Sequence, residues 1–252
     1  MPHPQAHNRG MRLPLTLLAL LTTGAVAAPL TLTSGSWTVN QRQPRAFALD
    51  TAPQVITAQG GGERFEVFRS TQEPCDSAQP GALERRNGFV VGLAGPLLTL
   101  STDLYDDCAP GHQSAAQLRT LDLSRRGAPA RLTGVFGEGA VLKALRSDPY
   151  LRELRGGPSR AGSIEEALSE VAEELNGECL GWSRAILDES WLVWDVRGAE
   201  AEVRVLLPYT QHRCAPQGGR QLELTLPVPA AHRAAFAEST RAKTLGRWQW
   251  TQ

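Results

Sequence analysis

From Leu13 to Ala28 the chain is almost uninterruptedly apolar, with Arg12 before the run and the small residues Ala25-Val26-Ala27-Ala28 at its end. A basic start, a short apolar core and an Ala-x-Ala site are the parts of a secretory leader. Residues 1–27 are therefore expected to be a signal peptide, with cleavage after Ala27. Thr16, Thr22, Thr23 and Gly24 interrupt the run, which falls short of the about 20 apolar residues of a membrane span. The constraint this places on folding is chemical. Everything downstream is expected to fold in the periplasm or as a secreted protein, where thiols oxidise.

All four cysteines, Cys75, Cys108, Cys179 and Cys214, follow the leader. An even count in an exported chain reads as two disulfides, with three connectivities open. Cys75–Cys108 and Cys179–Cys214 is the favoured set, because each bridge then closes a loop within one half of the chain. Chain entropy makes such a loop worth about 3–4 kcal/mol. A zinc site could be drawn from Cys108, His112, His212 and Cys214. Its Cys-x3-His and His-x-Cys spacings match no zinc-finger pattern, so no metal is expected.

About 225 residues remain after the leader, enough for one large or two small domains with a proper core. The full chain carries Lys+Arg 26 against Asp+Glu 26, and loss of Arg9 and Arg12 with the leader leaves a small negative balance. No basic or acidic run stands out, which argues against nucleic acid or an anionic membrane surface as partner. The mature chain is not expected to span a membrane.

Much of the mature sequence alternates with the two-residue period of strands. Leu30–Thr33 and Ser36–Val39 flank Ser34-Gly35, and Gln54–Thr57 and Arg64–Phe68 flank the triple glycine 60–62, which suits a hairpin tip. Residues 71–88, rich in Pro, Gly, Gln and Ser, read as a loop pinned by Cys75. Phe89–Leu93 and Leu97–Thr102 then pair across Gly95-Pro96, and Gln117–Leu123 follows.

Helical spacing appears at Gly139–Ser147, with Asp148 set to cap a short turn beginning at Pro149. Gly156–Gly162 reads as a linker, and Ser163-Ile164-Glu165-Glu166 as a capping box before Ile164, Leu168, Val171 and Leu175. The glutamates of that helix read as a solvated face. Trp191–Val196, Ala201–Leu207 and Leu222–Leu226 form an antiparallel meander, followed by an alanine-rich helix over 230–241 that carries a surface His232. Arg247–Trp250 could close the sheet as a last strand.

Chemistry-bearing motifs are scarce. Neither a Gly-x-Ser-x-Gly elbow nor His-Glu-x-x-His occurs. His112, His212 and His232 are the histidines after the leader, the first two in loops beside cysteines. No catalytic residue and no cofactor are assigned.

Several landmarks in order give the chain a resemblance. They are Tyr105, the Gly111-His112 loop, the strand Leu118–Leu123, the segment Leu132-Thr133-Gly134-Val135-Phe136, the aromatic strand Trp191–Val196, Pro208-Tyr209 at a strand end, and Leu224–Pro227. Together, over about residues 90–240, they resemble a domain-of-unknown-function family of extracytoplasmic bacterial proteins. That family includes the sensor domain of the lysozyme-responsive anti-sigma factor and the module beside some peptidoglycan polysaccharide deacetylases. The family's Gly-Ala-His-Gly loop is replaced here by Cys108-Ala109-Pro110-Gly111-His112-Gln113-Ser114. No sigma-binding region and no deacetylase domain are expected, so the resemblance implies the sensor-like or wall-associated module alone.

The expectation is an α+β fold of antiparallel sheets with a few packed helices, stapled by disulfides. A β-rich lobe with short helices is expected over 28–157, and a helix plus meander over 158–252. The expected function is a non-catalytic binding module at the bacterial envelope, with peptidoglycan or a lysozyme-like envelope protein as partner. Tyr105, Gly111, His112, Pro208, Tyr209 and His212 are its candidate contact residues. The alternative is a hydrolase of wall polymer or peptide, using the loop histidines with Asp106, Asp107 or a glutamate.

Overall fold

The structure is a computed structural model that describes residues 30–41, 54–74, 83–106, 113–153, 160–174, 183–207 and 220–246. The leader, all four cysteines and the predicted closing strand lie outside the described residues. The described part is α+β, with three antiparallel sheets and six α-helices.

The first sheet is a meander of β1 (Leu30–Ser34), β2 (Trp37–Gln41), β3 (Val55–Gly60) and β4 (Glu63–Arg69). Its β3–β4 hairpin turns on Gly61 and Gly62, both at positive φ (59° and 83°), as the triple glycine predicts. The second sheet has the order β5 (Thr71–Pro74), β6 (Leu83–Ala94), β7 (Leu97–Asp106), β8 (Gln113–Asp122) and β9 (Ala128–Pro129). The third holds β10 (Trp191–Arg197), β11 (Glu200–Leu207) and β12 (Arg220–Pro227).

Residues 71–74 and 83–88, expected as loop, are strand instead. Thr71 pairs with Arg86 and Pro74 with Leu83, while Glu84 pairs with Asp106 on the other side. All four residues of β5 are exposed. A solvated edge strand buries no alternate face, so periodicity gives no sign of it.

The middle sheet is covered on both sides. Leu32, Val39, Ile56 and Ala58 of the first sheet pack with Val90, Leu93, Leu98, Leu100 and Leu123. On the opposite face Val91 and Leu118 pack with Leu192 and Leu206 of the third sheet. The far face of that third sheet, with Val203, Val205, Leu222, Leu224 and Leu226, is covered by helices. These include α1 (Leu132–Phe136), α2 (Glu138–Ser147), α3 (Pro149–Glu153), α4 (Ile164–Glu174) and α5 (Arg184–Glu189). The largest apolar cluster therefore joins residues from both sides of position 157.

Local signals at the helices hold in most particulars. Asp148 accepts from the Leu151 N–H at 2.9 Å, as a cap of α3. Ser163 accepts from the Glu166 N–H at 3.1 Å, but Glu166 reaches back to the Gly162 N–H rather than to Ser163. The capping box is thus displaced by one residue on its return side. Helix α5 opens on Ser183, which accepts from the Ile186 N–H at 3.3 Å; its six residues are too few for a periodic signal.

The last helix, α6 (Arg233–Ala242), follows a 3-10 turn over Ala230–His232 and fastens three layers together. Ser239 of α6 and Ser34 of β1 share a buried hydroxyl contact, and both accept from the Gly95 N–H, at 2.9 and 3.1 Å. Gly95 has φ +59°, and a Cβ there would stand 2.5 Å from that of Ala235. The β6–β7 turn accordingly needs glycine for both space and backbone angle. Side chains also finish the outer edge of β6. Gln54 accepts from Gly88 N–H, Gln41 accepts from Val90 N–H, and Thr244 bonds both backbone groups of Leu93. An edge saturated in this way offers little to another strand.

Candidate functional site

The predicted contact residues are rooted on two hairpins. Tyr105 lies on β7, its backbone paired between Arg85 of β6 and Ser114 of β8. The loop with Gly111 and His112 leaves from Asp106 and returns at Gln113, which are themselves register partners. Pro208, Tyr209 and His212 leave from the end of β11 and return at Arg220, the partner of Leu207. Gly111, His112, Pro208, Tyr209 and His212 themselves lie outside the described residues.

The sheets that carry the two roots pack against each other on one side of the middle sheet. Leu206, next to the end of β11, packs in one cluster with Leu118 of β8. Leu118 is five residues from Gln113, about 17 Å along a strand.

The polar face that the middle sheet turns toward this side was not foreseen. Thr99, Ser101 and Thr120 are buried on it. Thr120 donates its hydroxyl to the Trp191 carbonyl and contacts the Thr99 hydroxyl at 3.0 Å. Trp191 in turn donates Nε1–H to the Ala130 carbonyl at 2.9 Å. Asp103 continues the row two residues further along β7, and burial pushes its carboxyl above the usual carboxylate range. It stands two residues before Tyr105, and alternation alone gave no sign of its burial.

His232, expected at the surface, is half-buried. Its ring stacks on Phe236 with centroids 5.4 Å apart, and burial holds its pKa below the usual histidine value against the pull of Asp122. The 3-10 turn before α6 lays the imidazole on that core ring, where a continuous helix was expected. Of the tryptophans in described positions, Trp191 is fully buried, whereas Trp37 and Trp194 are partly covered. Trp194 carries the Arg204 guanidinium 3.6 Å above its ring centroid.

Glu165 and Glu166 lie exposed on α4. Glu165 and Glu138 both engage Arg184, at 2.7 and 3.0 Å, which joins α2, α4 and α5. Asp188 accepts from the Thr133 N–H and hydroxyl at 2.8 and 2.7 Å and so caps α1. Among the described residues no group of three or more His, Cys, Asp or Glu side chains could hold a metal. No described helix is long and apolar enough to cross a membrane.

A groove of about 520 Å³ runs along β12. Asp148 and Pro149, at the junction of α2 and α3, form one side, and Glu202, Gln221, Glu223 and Thr225 the other. Arg204 lies behind it, 2.9 Å from Glu223 and 3.8 Å from Glu202. Compared with protein-family models, with curated proteins and with solved structures, the chain matches none.

Proposed function

We propose that this chain is a disulfide-stapled binding module of the bacterial envelope, exported and non-catalytic, whose partner is peptidoglycan or a lysozyme-like envelope protein. The observation that supports the reading is that both predicted contact loops spring from paired strand ends, on sheets that pack against each other and are covered on both faces. Binding residues gather on loops that a rigid scaffold positions. The resemblance and the predicted leader supply the compartment and the class of partner.

Strand register also supports the Cys75–Cys108 bridge. Cys75 follows Pro74, the partner of Leu83, and Cys108 comes two residues after Asp106, the partner of Glu84. The two strand ends flank β6 and are two strand spacings apart, about 10 Å. One and two further residues can close that to the about 5.5 Å between the Cα atoms of a cystine. Cys179–Cys214 is the remaining pair.

Two measurements test the reading. Purified mature protein is expected to bind insoluble peptidoglycan in a pelleting assay, or lysozyme by calorimetry; clean negatives for both discard the binding role. Titration of the denatured, unreduced protein is expected to find no free thiol, and four would remove the staples.

One observation favours the hydrolase alternative. Asp103, with its raised carboxyl pKa, stands beside the root of the His112 loop, and perturbed groups gather at catalytic sites. That alternative predicts turnover of wall polymer that Asp103→Asn abolishes.

A further inference from the structure

We infer that the outer edge of β12, with the acidic groove beside it, takes up an extended cationic chain segment by strand addition. The inference rests on the reading of the chain as a binding module and names a second contact surface for it, apart from the loops. Three observations carry it. In the third sheet β12 stands at one end, paired on one side with β11 and with no described strand on the other. Every second residue of such a strand turns its N–H and C=O away from the sheet, which is the template that added strands use.

The edge is also shaped to hold something. The β6 edge is closed by Gln41, Gln54 and Thr244, whereas β12 is bordered by the groove. Between Gln221 and Thr225 that groove follows five residues of strand, about 17 Å. Leu222 lies at its base with its side chain committed to the core. The wall opposite is the α2–α3 junction at Asp148 and Pro149.

Charge names the occupant. Among the described residues that line the groove, the ionisable side chains are all carboxylates: Asp148, Glu202 and Glu223. Arg204 offsets part of that charge from behind, held over Trp194, and Arg197 lies 3.8 Å from Glu202. Glu223 still keeps 56 % of its side chain exposed. A segment with Lys or Arg at alternate positions would set its cations along the Glu223 and Gln221 side while its backbone pairs with β12. A second copy of the same edge would bring glutamates toward glutamates, which disfavours self-pairing.

The test uses the full mature chain and four labelled hexapeptides, followed by fluorescence anisotropy at low and physiological salt. The probes are blocked Lys-Val-Lys-Val-Lys-Val, its Glu-Val counterpart, and the cationic peptide N-methylated at alternate residues in either phase. The plain cationic peptide is expected to bind, more weakly as salt rises. The anionic peptide and at least one N-methylated phase are expected to bind at least tenfold more weakly. Glu223→Gln, checked for native circular dichroism, is expected to lose about threefold in affinity, the size of an exposed ion pair. Binding by both N-methylated phases as tight as that of the plain cationic peptide overturns strand addition, and no binding by the cationic peptide overturns the site. If peptidoglycan or lysozyme binding persists in that case, this inference alone falls and the module reading stands.

Discussion

On the face of the β5–β9 sheet turned to β1–β4 the core of the contact is apolar, with Leu93 and Leu98 at 0 % exposure and Leu100 at 2 %, while Ser34, Gln41 and Gln54 make their hydrogen bonds along its rim at Gly95, Val90 and Gly88. On the face turned to β10–β12, four buried apolar residues surround a polar row of Thr99, Ser101 and Thr120. The first contact draws its strength from area removed from water, which is indifferent to small changes of angle. The second is directional. Thr120 bonds the Trp191 carbonyl, the Ala130 N–H bonds the Thr120 carbonyl at 2.8 Å, and Trp191 bonds the Ala130 carbonyl. That closed circuit fixes where β10 crosses the middle sheet. One interface supplies stability, and the other supplies the position from which the β11–β12 loop is presented.

The largest effect should come from emptying the apolar side. Leu98→Ala is expected to cost about 3 kcal/mol in urea unfolding, within the range for a fully buried leucine, with the unfolding slope unchanged. A loss below about 1 kcal/mol would mean that the first sheet is not the main source of stability. Thr120→Val is close to isosteric and removes the hydroxyl alone. It should cost about 1–2 kcal/mol, the penalty for leaving buried partners unmatched. If the circuit is one unit, Thr99→Val added to Thr120→Val should cost much less than the sum of the single changes. Full additivity would reduce the row to independent contacts.

These faces differ in how far the sequence discloses them. Alternation in Val203, Val205, Leu222, Leu224 and Leu226 marks one side of a half-buried strand, and those residues are buried. The β7 sequence Leu97–Ser101 reads as strand equally well. Its threonine and serine, however, look like a solvated face, because a hydroxyl that will meet Thr120 leaves the same local pattern as one that meets water. The β5 strand is polar and exposed, and the start of β6, Glu84 to Asn87, is polar throughout, so no alternation of apolar residues announces them. Tertiary partners decide those elements, and the window of sequence around them does not contain the partners.

The proposed contact site was legible only as loops. Cysteine, glycine and histidine at 108–112 and proline, tyrosine and histidine at 208–212 mark places where chains turn and bind. That the sheets carrying the two roots pack together rests on the cluster that holds Leu206 and Leu118, 88 residues apart in sequence. The acidic groove was not legible at all, since Asp148 and Glu223 come from different layers of the fold.

Asp103 extends the polar row toward the loops and offers a smaller, pH-dependent test. Burial raises its carboxyl pKa in the folded chain, so the native state keeps that proton to higher pH than the unfolded chain does. Its contribution to stability therefore declines as pH rises from about 4, the unfolded value, through the folded one. The native state holds a charge there less easily than water does. Asp103→Asn is expected to melt above the wild type at pH 7, with the gap closing below about pH 4. A variant less stable at pH 7 would show that the carboxylate is bound by a partner that favours its charge.

The smallest effect separates a buried polar network from an exposed one. Arg184 gathers Glu138, Glu165 and Asp188 at 3.0, 2.7 and 3.7 Å, one partner more than the Thr120 hydroxyl has, and its bonds to the two glutamates hold its pKa above the ordinary arginine value. If the number of polar contacts governed stability, Arg184→Ala would rival Thr120→Val. Solvent governs instead: water replaces the lost partners of exposed groups and salt screens what attraction remains. The helix Arg184–Glu189 keeps its serine cap and its buried Leu187 in the variant. Arg184→Ala is therefore expected to shift the melting midpoint by no more than its fitting error in 0.5 M salt, and slightly more at low salt. A shift as large as that of Thr120→Val at high salt would place the origin of stability in the helix layer's ion pairs, and would break the division between area and direction drawn for the two sheet faces.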